Sequence, residues 1–232
     1  GGMVGFQGAP VRAPTLPQCL RAAGYATRLA GRHMHQDPYD EPYGYEKQVL
    51  ATPYMPGDEY GRLLRKRLPH VGGLRGLVTS FNGWHAKPWP ADEDLHPTNW
   101  VAAQARRLLA EAPAGRPLFL TASFFAPHPP LVPPAWYMEY YLRQKLPRAA
   151  RGTWVDWKRL PAAGAAIDAH RVRLEGEALR LAQAGYFGLI HHLDDQLYWK
   201  LIEHAKPAID SGQRVTIEPP IENIDPTVGG VL

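Results

Sequence analysis

Proline and glycine constrain this chain more than any other feature. There are 24 prolines and 22 glycines among 232 residues. Together they make up about a fifth of the sequence, near the level where long ordered loops become the expectation. Proline removes a backbone donor and glycine weakens helix interiors, so this composition argues against an all-helical bundle. Hydrophobic content of 45% and charged content of 21% are ordinary for a globular chain with a sizeable core.

Between the loops the chain has an α/β rhythm. Thr15 can cap a short helix with Leu16, Cys19, Leu20 and Ala23 along one side, and Gly24 ends it. A strand is predicted over 26–30, running into Gly31-Arg32-His33-Met34-His35. Cys19 reads as a small core residue on its apolar stripe. With one cysteine, a disulfide framework and a cysteine-based zinc site are both excluded.

Residues 36–97 are rich in Pro, Gly, Tyr and Trp, and predict long loops with a short helix near 58–66. Thr98 or Asn99 caps the next helix, whose stripe runs Val101, Ala105, Leu108, Leu109. Residues 118–124 read as a buried strand, followed at once by Ala126-Pro127-His128-Pro129-Pro130. Residues 142–173 are irregular. A helix is expected from about Glu175, with an apolar face through Tyr186, Ile190, Leu193, Leu197 and Leu201. A further strand is expected at 215–217. In α/β domains ligands gather at the carboxyl ends of strands, which singles out the polar clusters after 30 and 124.

The net charge of +4 favours anionic ligands, but no dense Lys/Arg run with interleaved aromatics argues for nucleic acid. The basic stretch 62–67 reads as a solvated helix face. No stretch is long and apolar enough to span a bilayer.

Three segments together resemble the sulfatase family. The first is the helix, Ala23-Gly24-Tyr25 turn and strand leading to Gly31-Arg32-His33-Met34-His35. The second is residues 117–130, a strand ending in Pro127-His128-Pro129-Pro130. The third is 186–196, similar to the helix carrying the family's Asp-Asp pair, here Asp194-Asp195. Between them, 82–89 and 95–100 look like a bacterial arylsulfatase subgroup. The resemblance covers roughly 14–200 and implies a partial alkaline-phosphatase-like (sulfatase) α/β domain. Its expected architecture is a mixed sheet flanked by helices with long loops.

The resemblance implies a sulfuric ester hydrolase that uses formylglycine and calcium when intact. The formylglycine motif, Cys/Ser-x-Pro/Ala-x-Arg, does not occur in these 232 residues. The segments that hold calcium in the family are not matched either, so no metal ligand is assigned and no bound calcium is expected in this chain. Asp194 and Asp195 read as structural helix residues, not metal ligands. The resemblance places the chain's start inside a domain and predicts little activity by itself.

Three catalytic positions carry over from the family. Arg32 stands where the family has lysine; it can hold a sulfate bidentately but cannot give up a proton at neutral pH. His35 matches the histidine beside the nucleophile, with His33 as the competing register. His128 matches the histidine of Pro-His-x-Pro, which contacts sulfate and leaving oxygen in the family. His85 and Lys87, in the Trp-rich loop, are candidate substrate-binding residues, with loop packing as the alternative. His191 and His192 read as surface residues of the last helix.

The implied substrate is a sulfated small molecule or glycan. Two alternatives share the same pocket chemistry. One is a phosphoester or phosphonate hydrolase of the superfamily; the other is a non-catalytic anion-binding remnant. Residues 201–232 do not continue the sulfatase pattern and weakly resemble a stretch of glutamate synthase large subunit, with Pro226 where that pattern has arginine. The expected division is therefore a sulfatase-like domain over 1–200 and a divergent tail over 201–232.

Overall fold

Along the chain the elements are α1 (Leu16–Ala22), β1 (Ala26–Gly31), β2 (Lys47–Leu50), α2 (Glu59–Arg67), α3 (Leu74–Leu77), α4 (Pro97–Ala110), β3 (Leu118–Ser123), α5 (Ala135–Leu142), α6 (Gly176–Asp195) and α7 (Glu203–Asp210). A 3-10 turn, Glu93–Leu95, precedes α4, and a π-helical stretch, Gln196–Ile202, joins α6 to α7. The computed structural model describes residues 13–33, 38–52, 57–78, 80–162 and 172–210. The chain divides into two units, one built on 1–70, 97–125 and 195–220, the other on 71–96, 126–194 and 221–232.

The first unit holds the sheet, in the order β2-β1-β3. Both pairings are parallel, so no antiparallel member of the expected mixed sheet occurs among the described strands. All six residues of β1 are buried, as a central parallel strand demands. α1 starts as its sequence predicts. The Gln18 amide donates to the Thr15 hydroxyl at 3.3 Å, and Gln18 Oε1 accepts from the Thr15 amide at 2.8 Å, a reciprocal cap. α1 buries only Pro17, however, and leaves Cys19 exposed and Leu16 53% exposed. The core reading of Cys19 is thus corrected: a two-turn helix touches its neighbours along a narrow line, which falls on Pro17.

α4 packs on β1 and β3 with Thr98, Trp100, Val101, Ala102, Ala105 and Leu108 buried. It begins at Pro97, so Thr98 lies inside the first turn instead of capping it. Arg28 of β1 closes the other end. Its guanidinium donates to the Leu108 carbonyl at 2.7 Å and the Glu111 carbonyl at 2.6 Å. A buried cation here answers both the last carbonyls of the helix and the negative end of its dipole. Arg116 ties the start of β3 to the Tyr25 carbonyl at 2.7 Å and to Glu46 at 3.0 Å. In α2, Asp58 caps the amide of Gly61 at 2.6 Å, and Arg62, Arg65, Lys66 and Arg67 are exposed as expected.

The second unit has no named strand among its described residues. Its core includes Ala86, Ala126, Leu131, Met138, Val172, Leu174, Ala182, Ala184 and Leu189. α6 faces this core with small side chains, because its neighbours approach closely. A methyl group on Gly185 would lie 2.6 Å from the Ala86 Cβ, and one on Gly188 would lie 3.0 Å from the Pro133 ring. The expected apolar face through Ile190 is shifted; Ile190 is 39% exposed while His192 is fully buried. His192 is therefore a core residue and His191 is half-buried, so the surface reading of both is corrected. The neighbours of His192 come from segments far away in sequence. The 215–217 strand expectation and most of the tail resemblance fall outside the described residues.

Candidate active site

In the first unit the candidate residues lie where β1 ends. β1 and β3 are parallel and in register from Ala26↔Leu118 to Gly31↔Ser123, so their carboxyl ends lie together. Gly31 makes this approach possible. Its φ is +113°, and a Cβ there would stand 2.0 Å from the Ser123 carbonyl oxygen. Only glycine meets both conditions. Arg32 follows directly and is 6% exposed. Its guanidinium lies over the Phe125 ring, 4.5 Å from the centroid.

His33 turns to the sheet. Its Nε2 is 2.8 Å from the Gln48 side-chain oxygen, which only accepts, so Nε2 carries the proton. Its ring packs edge-on against Tyr43 at 5.1 Å. Burial holds its pKa below the usual imidazole value, against the opposing pull of Gln48 and Glu41. These contacts give His33 a structural role. His35, the matching register in the family, lies outside the described residues.

In the second unit His128 is half-buried, and its Nδ1 is 2.6 Å from the Pro129 carbonyl oxygen. A carbonyl only accepts, so Nδ1 carries a proton and the lone pair of the neutral ring falls on Nε2. The loop with His85 and Lys87 runs beside the segment that follows His128. Ala86 bridges Leu131, the Lys87 amide donates to the Leu131 carbonyl at 3.2 Å, and the Trp89 amide donates to the Pro133 carbonyl at 2.8 Å. Three of the five candidates, His85, Lys87 and His128, thus sit on two loops stitched backbone to backbone. His85 Nδ1 and Trp84 Nε1 are buried without a hydrogen-bond partner among the described residues. Buried polar atoms of this kind are uncommon, and a bound ligand is one means of satisfying them.

A buried histidine pair in the same unit has no counterpart in the sequence reading. His96 and His192 meet edge to face at 4.6 Å, flanked by Trp89 at 5.0 Å and Tyr137 at 4.9 Å. His96 Nε2 donates to the Val132 carbonyl at 3.2 Å, four residues beyond His128. Burial, with His192 adding to it, drives the His96 pKa well below the usual imidazole range. No local signal marks this pair, because its members lie far apart in the chain.

The described residues do not fit the calcium of the sulfatases. Among them, no group of three or more His, Cys, Asp or Glu side chains is placed to hold a metal ion. Asp194 is exposed on α6. No described helix is long and apolar enough to cross a membrane.

The chain has part of an alkaline-phosphatase-like fold. The chain superposes on the phosphonate monoester hydrolase of Agrobacterium radiobacter with a TM-score of 0.64 and 20% identity, covering 90% of this chain and 46% of that one. The phosphonate monoester hydrolase from Silicibacter pomeroyi gives 0.61 and 24%, covering 89% and 46%. Within that fold the sequence is sulfatase-like. It is 30% identical over 198 residues to an arylsulfatase of Clostridium perfringens (strain 13 / Type A), spanning 79% of this chain and 41% of the relative. Arylsulfatase J of Mus musculus is 27% identical over 135 residues, 57% of this chain and 22% of the relative. The chain thus spans less than half the length of these relatives. No protein-family model matches it.

Proposed function

We propose that this chain supplies anion-binding residues of a sulfuric ester hydrolase, with a sulfated small molecule or glycan as substrate. The observation that carries this reading is the 30% identity to an arylsulfatase across 79% of the chain. Arg32 and His128 stand where the family resemblance puts its cation and its Pro-His-x-Pro histidine.

Each residue has a role that its chemistry permits. Arg32 holds sulfate oxygens through paired N–H donors and stays charged throughout. It cannot protonate the leaving alcohol, so that proton falls to an imidazole, His128 or His35. Nδ1 of His128 donates to the Pro129 carbonyl, so a proton delivered by this ring comes from Nε2 of its imidazolium form. His85 and Lys87 contact the substrate from the neighbouring Trp-rich loop. Formylglycine and calcium belong to the family's chemistry; neither has a matching motif here, and the roles above involve neither.

The superposition on two phosphonate monoester hydrolases favours a second reading, phosphonate or phosphoester hydrolysis with the same residues. Titrating the purified chain with 4-nitrophenyl sulfate and with 4-nitrophenyl phenylphosphonate separates the two. Preferential sulfate ester binding, lost in His128→Ala, supports the sulfatase reading. Equal binding by wild type and His128→Ala sinks it. Turnover is expected to be absent; clear turnover that disappears in His128→Ala would overturn the view of this chain as a binding element alone. Residues 201–232 form, in this reading, a tail of different origin.

A further inference from the structure

We infer that Phe125 is a positioning residue for Arg32, and that the two act as one anion-binding device. The inference rests on Arg32 as the sulfate-holding cation.

An arginine that is 6% exposed needs compensation for its lost hydration. Part of it comes from the Phe125 ring, whose centroid is 4.5 Å from the guanidinium carbon. The negative face of an aromatic ring attracts a cation, and more strongly where water is excluded. The ring also sets geometry. Guanidinium donors lie in the plane of the group, and a ring this close to its central carbon restricts how that plane can turn. A tetrahedral oxyanion is recognised through an edge of that plane, two N–H groups to two oxygens.

The backbone sets up this pairing. Gly31 and Ser123 are partners in register, so Arg32 and Phe125 leave neighbouring parallel strands at the same end of the sheet. The close approach at Gly31, where a Cβ would meet the Ser123 carbonyl at 2.0 Å, brings the two strands together just before the pair. A lysine, which the family has at this position, is a point charge and gains less from a fixed plane. Arginine and a stacking ring are therefore coupled choices in this chain.

The test uses the full chain and inorganic sulfate as the probe. Sulfate affinity is measured by calorimetry for wild type, Phe125→Leu, Phe125→Tyr and Arg32→Gln. Arg32 side-chain proton shifts, assigned from the spectrum of Arg32→Gln, report stacking directly. Phe125→Leu should weaken sulfate binding on the order of tenfold and abolish the ring-current shift. Phe125→Tyr should retain both, which a general packing defect would not allow. Unchanged sulfate affinity in Phe125→Leu, with binding lost in Arg32→Gln, overturns the positioning role alone. Unchanged affinity in Arg32→Gln, or no sulfate binding by wild type, overturns the anion-site reading and this inference with it.

Discussion

His96 and His192 meet edge to face at 4.6 Å with almost no solvent exposure, 2% and 0%. Burial keeps His96 from taking up a proton in the folded chain, whereas the unfolded chain binds one near pH 6.5. The folded-state pKa is depressed, so the stability is fully present above about pH 6.5 and is lost as pH falls. Each such group contributes a slope of at most ~1.4 kcal/mol per pH unit. His33 acts with the same sign in the other unit. Urea midpoints at pH 5.5 and 7.5 should differ for wild type, and His96→Gln should flatten that difference. An equal slope in His96→Gln would remove His96 as a source.

Gly31→Ala should be among the most damaging single changes. It places a Cβ at φ +113° and 2.0 Å from a backbone oxygen. Strain and overpacking together are expected to cost about 3 kcal/mol or more. A thermal melt checks this. Gly24→Ala is the control: φ is +92° there, but nothing lies within 4 Å, so its cost should be clearly smaller.

Arg28→Met tests the end of α4. The substitution keeps an apolar stem but removes both donors to the Leu108 and Glu111 carbonyls. Losing charged hydrogen bonds to these carbonyls should cost about 2 kcal/mol. Chemical denaturation would show it, and a stability equal to wild type would deny Arg28 its capping role.

His85→Phe separates binding from stability by sign. Its Nδ1 has no hydrogen-bond partner among the described residues, so replacing the ring by an apolar one removes an unsatisfied atom. Stability should hold or rise by about 1 kcal/mol. Affinity for 4-nitrophenyl sulfate should fall. A large loss of stability with unchanged affinity would show that His85 packs the loop and does not bind substrate.

Local chemistry is legible in the sequence, and long-range chemistry is not. The Thr15 cap, the Gly24 stop, the strands at 26 and 118 and the short helix near 58–66 depend on a few neighbouring residues, and the structure follows them closely. α5 carries Trp, Tyr and Met around most of its circumference, so it offers no periodic stripe to read. On α6 hydropathy points to Ile190, but close backbone approach selects Ala182, Ala184, Gly185 and Gly188, which no hydropathy pattern marks. The candidate site follows the same division. The polar residues after each strand are visible. The Arg32–Phe125 contact, the ladder from Ala86 to Leu131 and the His96–His192 pair join residues dozens of positions apart.

The ladder between Trp89 and Pro133 bears on how this chain could be re-engineered. The Trp-rich loop and the His128 loop share backbone hydrogen bonds, so they form a single exchangeable cassette. Grafting one loop from a relative would break register with the other. Transplanting both halves together keeps the stitch and should move selectivity without unsettling His128.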